Sequence, residues 1–175
     1  MDVRVFTGSI LDAPAEAIVN AANTELRHGG GVAAAIARAA GPAFEQASRA
    51  VGHCALGAAV ATTAGDLPFR CVLHVPTIDY RAGGRRASAE ELRDGVAAAL
   101  RLAKERGCGS VALPILGSGV AGVPAAEACR RIALGLEAAR ASGNAPDAVL
   151  ICAFPTSDVR AVESVFGPAR ASPME

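Results

Sequence analysis

The chain has 175 residues, a length that suits one domain with a sizeable core. Apolar residues make up 51% of it and charged residues 19%, a balance that excludes an intrinsically disordered chain. The formal net charge is +0 and Lys104 is the only lysine, so the composition shows no basic face that would wrap nucleic acid, and we expect no direct sequence-specific nucleic-acid binding.

Short apolar runs alternate with longer helical patterns along the chain. In chain order, strands are predicted at residues 3–6, 17–19, 59–62, 71–75, 111–114 and 149–153. In the same order, helices are predicted at residues 32–40, 44–51, 90–106 and 124–142, with a last one from Thr156 or Ser157 to Phe166. Because the strands are short and apolar on both sides, the pattern predicts a buried α/β sheet.

The boundaries of the predicted helices follow from local signals. Ser88 and Glu91 form a capping-box pattern before the third helix, and Gly107 stands where its C′ residue belongs. Pro124 occupies a plausible first helical position of the fourth helix. Residues 81–86 are predicted to be an exposed loop. We therefore expect one three-layer α/β domain over residues 1–167, with a mixed sheet, and a frayed tail at 168–175.

The five cysteines are odd in number, widely spaced and contain no CxxC pair. This pattern argues against a zinc site and against a secreted disulfide framework, and we predict no metal site. The chain starts on a strand pattern rather than a signal peptide, and no stretch is long and apolar enough to cross a membrane. The expected location is the cytoplasm, without membrane association.

Two glycine-rich loops carry most of the functional information. Gly29-Gly30-Gly31-Val32 and Gly117-Ser118-Gly119-Val120-Ala121-Gly122 each follow a predicted strand and lead into a predicted helix. Such loops direct unpaired backbone N–H groups and the positive end of a helix at one point, which favours a phosphate. Two loops of this kind predict a ligand with two phosphates.

Asparagines border the first of these loops. Asn20 and Asn23 follow the second predicted strand, and for each alone a structural role is favoured, because asparagine is common in turns. Beside the triple glycine the pair predicts a division of labour, in which Asn20 fixes the loop and Asn23 faces a sugar. His74 lies in an apolar run and is predicted to be a core histidine, and Asp79 and Tyr80 are predicted at the rim of the site.

Residues 8–36, with the runs Ala17-Ile18-Val19-Asn20-Ala21-Ala22-Asn23 and His28-Gly29-Gly30-Gly31-Val32, resemble the macrodomain family. Residues 113–124 resemble the second phosphate loop of that family, and residues 72–75 resemble its central strand. The resemblance covers nearly the whole chain in the right order. It implies a three-layer α/β/α fold with a central mixed, mostly parallel sheet, and an ADP-ribose pocket at the carboxyl ends of the strands.

The resemblance also assigns roles to single residues. It implies that the two loops cradle the diphosphate, that Asn23 binds the distal ribose and that Phe154 stacks on the adenine; from the sequence alone, core packing of Phe154 is an equal alternative. The implied ligand contacts are Ser9, Ile10, Asn20, Asn23, Gly29, Gly30, Gly31, Val32, Gly117, Ser118, Gly119, Val120, Ala121, Gly122 and Phe154. A cradle of backbone amides explains how a neutral chain binds a doubly anionic ligand. No cofactor is expected beyond the ligand ADP-ribose.

The chain departs from the family pattern at two positions. Ser9 stands where an aspartate usually accepts a hydrogen bond from the adenine, a change that costs on the order of 1 kcal/mol, or roughly fivefold in affinity. Ala33 stands where hydrolases of the MacroD type carry an aspartate, so no carboxylate is available there to activate a water. Other macrodomains, including viral ones, share the His-Gly-Gly-Gly-Val-Ala run. For these, the resemblance implies a water held between the ligand's own phosphate and ribose.

Two functional classes follow from this pattern. The first is a hydrolase that releases ADP-ribose from protein or nucleic acid, or deacetylates O-acetyl-ADP-ribose, with Asn23 and His28 as the catalytic residues. For His28 and Glu25 a loop-stabilising or solvated role is favoured over that of a general base. The second class is a non-catalytic ADP-ribose reader, which Ala33 favours. The expected partner is ADP-ribose or an ADP-ribosylated macromolecule, and the expected state is a monomer.

Overall fold

Seven strands form one sheet in the computed structural model, which describes residues 1–154 and 158–168. The strands are β1 (Asp2–Thr7), β2 (Ala17–Asn23), β3 (Val60–Thr62), β4 (Cys71–Asp79), β5 (Arg85–Arg86), β6 (Ser110–Pro114) and β7 (Ala148–Ala153). They lie in the order β1-β7-β6-β2-β4-β3, with β5 also paired to β4. Pairing is parallel from β1 to β4 and antiparallel where β3 and β5 meet β4, so the prediction of a mixed, mostly parallel sheet is confirmed.

Five helices cover the two faces of this sheet. They are α1 (Gly31–Ala40), α2 (Pro42–Val51), α3 (Ala89–Glu105), α4 (Ala125–Ala141) and α5 (Val159–Phe166). Buried residues of α1 and α2 pack on one face of the sheet, and those of α3, α4 and α5 pack on the other. The three-layer prediction is therefore confirmed. The predicted start of the last helix at Thr156 or Ser157, and the predicted tail from residue 169, lie outside the described residues.

Successive side chains along the central strands point to opposite faces of the sheet and so contribute to two hydrophobic cores, one on each face. Ile18 and Val72 face the α1–α2 layer, whereas Val19 and Leu73, the next residues along, face the α3–α5 layer, and all four are 0% exposed. Strands buried on both faces are apolar throughout, as expected for parallel strands between two helical layers. Within the described ranges 1–154 and 158–168, no helix has both the length and the apolar composition that a membrane crossing requires.

The ends of α3 confirm the predicted signals. Ser88 Oγ accepts from the Glu91 N–H (3.1 Å), and a Glu91 carboxylate oxygen accepts from the Ser88 N–H (2.8 Å), which is a complete capping box. Gly107 follows the helix with a φ of +71°, the left-handed conformation that favours glycine at C′. At α4 the prediction is off by one residue, because Pro124 is the N-cap and the helix begins at the next position.

The strand predicted at residues 17–19 continues to Asn23 as β2, and two further strand predictions need correction. Arg85–Arg86, predicted as part of a loop, pairs antiparallel with Ile78 and Asp79, because the Asp79 carboxylate accepts N–H groups of the intervening turn. Strand β4 was expected to end before Pro76 but continues to Asp79. A register shift opposite Asn23 leaves one extra residue in β4, and such an irregularity accommodates a proline that has no N–H to donate.

Candidate functional site

The carboxyl ends of the parallel strands meet at one edge of the sheet and enclose a cavity of about 900 Å³. Its size lies in the range of small-molecule sites. Predicted site residues at its wall are Ser9, Ile10, Asn23, Gly29, Gly30, Gly31, Val32, Gly117, Ser118, Gly119, Val120, Ala121 and Phe154. The fold therefore brings both glycine loops and the exposed aromatic ring to one cavity.

The first glycine loop leaves open space at the cavity. Gly30 is the N-cap of α1, and its φ of −158° is extended backbone that any residue adopts. Counting from the start of α1, the first N–H group that donates to a described backbone acceptor is that of Ala34, which donates to Gly30 O (3.2 Å). A Cβ placed on Gly29, Gly30 or Gly31 would meet no atom within 4 Å. The backbone donors of the first turn are thus free to receive an anion.

The second glycine loop is closed by its own backbone. Val123 N–H donates to Gly117 O (2.9 Å), and Gly117 has a φ of +86°, which favours glycine. In the described part of the chain, the N–H groups of Gly119, Val120 and Ala121 donate to no protein acceptor. They form a second set of free donors on the cavity wall.

Two residues of this loop, Ser118 and Gly122, stabilise its turn. The Ser118 hydroxyl donates to Ile115 O (2.8 Å), so it holds the turn. Gly122 was predicted to contact the ligand, but it does not line the cavity. Its φ is +67°, and the position that a Cβ would take lies 3.4 Å from the Arg86 guanidinium. The structure thus places Gly122 at the close of the turn, beside Arg86 and outside the cavity wall.

Residues after β1 and β7 complete the opposite wall. Ser9 lines the cavity, and its Oγ accepts from the Leu11 N–H (3.2 Å), which caps a short 3-10 helix at Ile10–Asp12. Phe154 follows β7 with 66% of its surface exposed, so the alternative of core packing is wrong for this ring. A large exposed aromatic ring beside a cavity is suited to stacking on a planar group.

Asn23 lies at the cavity, but its amide is committed to the loop that follows. Its Oδ1 accepts from the N–H groups of Glu25 (3.2 Å) and Arg27 (3.0 Å), and its Nδ2 donates to Arg27 O (2.6 Å). Leu26, inside this loop, has a φ of +54°, which is rare for a non-glycine residue. Asn23 therefore fixes the backbone at this end of the cavity.

Asn20 and His28 do not line the cavity, contrary to the predicted ligand-binding and catalytic roles. Strand β2 runs on to Asn23, so Asn20 lies inside the sheet and is 0% exposed. Its Nδ2 is 3.3 Å from His28 Nδ1 and 3.1 Å from His74 Nδ1. Asn20 joins the pair formed by the half-buried His28 and the buried His74, and so it fixes the loop, as predicted from the residues; the correction concerns only its implied contact with the ligand.

The hydrogen bonds of this pair fix its tautomers. The Asn20 amide donates to both Nδ1 atoms, so each ring carries its proton on Nε2. His28 Nε2 then donates to Ser48 Oγ (2.9 Å), and His74 Nε2 donates to Thr62 Oγ1 (2.8 Å). Burial lowers the pKa of His74 to about 3, and the nearby His28 acts in the same direction. Burial also lowers the pKa of His28, against the opposing charge of Glu45. Both rings are neutral near pH 7, and the core-histidine prediction for His74 is confirmed.

The neutral His74 makes stability depend on pH. Its pKa is about 3 in the folded chain and near 6.5 in the unfolded chain, so the unfolded chain binds the extra proton between these values. We expect the free energy of unfolding to have its full value above about pH 6.5. It should decrease by at most about 5 kcal/mol as the pH drops towards 3. Urea unfolding from pH 7 to 4 measures this slope. His74→Gln should flatten it, and the exposed His53→Gln should not; equal slopes for wild type and His74→Gln would contradict the assignment.

Several residues at the cavity were not predicted as ligand contacts. Ala33 lines it and is 6% exposed, so its position offers no carboxylate. Glu25 and Asp158 are the carboxylates at its described wall, and Glu25 is ion-paired to Arg81 (Oε1 to Nε, 2.7 Å). Tyr80, 50% exposed, lies at the cavity as predicted for the rim. No sequence signal pointed to Asp158, since no motif surrounds it.

Comparison with known proteins gives a family match over most of the chain. The family model described as Macro domain matches residues 19–132. An uncharacterised protein of Mycobacterium tuberculosis is 45% identical over 130 residues, which are 74% of this chain and 35% of that protein. The chain thus spans about a third of the length of this relative. A protein of Enterobacter sp. named O-acetyl-ADP-ribose deacetylase is 42% identical over 130 residues, 72% of each chain.

Solved structures give the same fold. The macrodomain of Trypanosoma brucei in complex with ADP-ribose has a TM-score of 0.80 and 29% sequence identity, over 93% of this chain and 68% of that one.

Proposed function

Because the chain belongs to the Macro domain family, we propose that its 900 Å³ cavity binds ADP-ribose and that the chain hydrolyses ADP-ribosyl or O-acetyl-ADP-ribose linkages. The observation that carries the proposal is the meeting of two glycine loops and an exposed phenylalanine at one cavity. Free N–H groups on both loops match the two phosphates of the ligand, and Phe154 at the rim matches its adenine.

Hydrolysis is the second half of the proposal and rests on likeness to the Enterobacter relative named O-acetyl-ADP-ribose deacetylase. The same enzyme class is expected to act on mono-ADP-ribosylated protein or nucleic acid. The linkage to be cleaved, whether an ester or a glycosidic bond, lies at the distal ribose. In this proposal the distal ribose lies at the loop from Asn23 to Gly31, which forms part of the cavity wall.

The proposed chemistry relies on orientation. Ala33 supplies no base, the Glu25 carboxylate is held by Arg81, and the other carboxylate at the described wall, Asp158, belongs to the start of α5, after Phe154 in the chain. In this scheme a water positioned by the ligand's own phosphate attacks the linkage. Holding a nucleophile in line with its target lowers the barrier without proton abstraction by the protein. Asn23 keeps the loop backbone in place for this. His28 supports the loop from the buried side and is a positioning residue in this scheme.

Two measurements test the proposal. Calorimetry should give micromolar affinity for ADP-ribose, on the order of −8 kcal/mol. Single-turnover assays with O-acetyl-ADP-ribose and with mono-ADP-ribosylated protein should release ADP-ribose. No heat and no thermal shift at millimolar ligand would refute binding. Tight binding without turnover on either substrate would place the chain among readers, the alternative that Ala33 favours.

A further inference from the structure

A second, smaller cavity of about 390 Å³ lies on the other side of the loop that follows β2. Its wall carries Arg27, Arg49 and Arg81 together with Glu25 and Glu45. Its volume is at the small end of the range of ligand sites and has room for one or two side chains. The composition marks it as a site for a small charged group.

Positive charge predominates in this second cavity. Arg81 is neutralised by Glu25, at 2.7 Å. Arg27 and Arg49 are exposed and form no ion pair with any described residue, although Glu45 lies one helical turn before Arg49. His28, also at the wall, is neutral. One carboxylate, Glu45, therefore faces two unpaired guanidinium groups, which leaves the cavity suited to an anion.

The two cavities share part of their walls. Glu25 and Arg27 line both of them. The Arg27 backbone is joined to the Asn23 amide by two hydrogen bonds, of 2.6 and 3.0 Å. Asn23 lies at the end of the main cavity proposed to hold the distal ribose. A group attached to that ribose would leave the main cavity beside Arg27, next to the second cavity.

We propose that the second cavity receives an acidic side chain of the protein that carries the ADP-ribose. This inference rests on the proposed function, since it needs a modified substrate in the main cavity. A protein is favoured over a nucleic acid because the cavity is small and the chain as a whole has a net charge of +0, whereas nucleic-acid interfaces are extended and basic.

The test uses matched arginines at two helix ends. Arg49 is in the last turn of α2 and lines only the second cavity, and Arg38 is in the last turn of α1 outside both cavities. Binding is measured by competition with fluorescent ADP-ribose. The competitors are a peptide that carries ADP-ribose through a non-hydrolysable linkage, with glutamates beside the modified residue, and the same peptide with glutamines. Wild type should prefer the glutamate peptide by about threefold, Arg49→Glu should lose this preference, and Arg38→Glu should keep it.

Binding of free ADP-ribose distinguishes a failure of this inference from a failure of the proposed function. All three proteins should bind free ADP-ribose equally, because Arg49 lies outside the main cavity. Equal affinity of wild type for the two peptides, with normal binding of ADP-ribose, would overturn this inference and leave the proposed function intact. Tighter binding of an ADP-ribosylated oligonucleotide than of the glutamate peptide, lost in Arg49→Glu, would overturn it in favour of nucleic acid. No binding of free ADP-ribose by wild type would remove both proposals.

Discussion

Gly30→Glu is expected to abolish ADP-ribose binding, weakening it by at least about 100-fold, while the protein stays folded. The backbone at Gly30 is extended, with a φ of −158°, and a Cβ there meets no atom within 4 Å, so the fold accepts a side chain. The side chain would fill the space before the free N–H groups of α1, and its carboxylate would repel a diphosphate. Calorimetry with ADP-ribose measures the loss, and thermal unfolding checks the fold.

A control variant distinguishes the effect of a side chain that fills the phosphate site from the effect of one added negative charge. Ala43 lies in the first turn of α2, is exposed and lines neither cavity, so Ala43→Glu adds the same side chain at another helix start. This variant should bind as wild type does. Gly30→Ala, which adds only a Cβ, should have a smaller effect than Gly30→Glu. If folded Gly30→Glu keeps wild-type affinity, then the phosphates bind elsewhere.

The fold was predictable because its signals are local. Apolar runs located the central strands, and Ser88 with Glu91 located the start of α3, since a capping box depends on residues three positions apart. The strand Arg85–Arg86 was missed because its pairing depends on a turn held by Asp79, and two exposed arginines show no alternation. The length of β4 was missed because a proline normally ends a strand. The pairing observed in the structure, of Ala22 with Pro76 and of Asn23 with Ile78, shows that β4 continues past the proline.

The site was predictable where backbone forms it and less so where side chains do. Glycine runs after strands located both loops, because glycine itself leaves the space that a ligand needs. The direction of a polar side chain depends instead on the exact end of a strand. Asn20 was expected at the edge of the sheet, yet β2 continues for three more residues, so the Asn20 side chain lies inside the sheet beside the buried His74. The second cavity left no sequence signal, because its arginines come from α2 and two separate loops.

Asn23→Ala is expected to lower the single-turnover rate of ADP-ribose release by about 100-fold, the scale of lost positioning. The variant removes three hydrogen bonds that fix the loop at the ribose end, while Thr24 N–H still donates to Ile78 O (3.1 Å) and keeps the start of the loop on the sheet. The Kd for ADP-ribose should therefore change much less than the rate.

The pH profile of the same reaction distinguishes positioning from general-base catalysis. Burial lowers the pKa of His28, so its ring is already neutral above its ordinary value of about 6.5, and the rate should show no steep limb there. Ala33→Asp, which places a carboxylate at the cavity wall, tests whether a base adds to positioning, and we expect a higher rate. Full loss of activity in His28→Ala, with Asn23→Ala as active as wild type, would contradict this mechanism and make His28 the catalytic group. A loss of affinity in Asn23→Ala without a change in the single-turnover rate at saturation would instead assign Asn23 to binding alone, since an interaction made equally with substrate and transition state does not lower the rate of the bound complex.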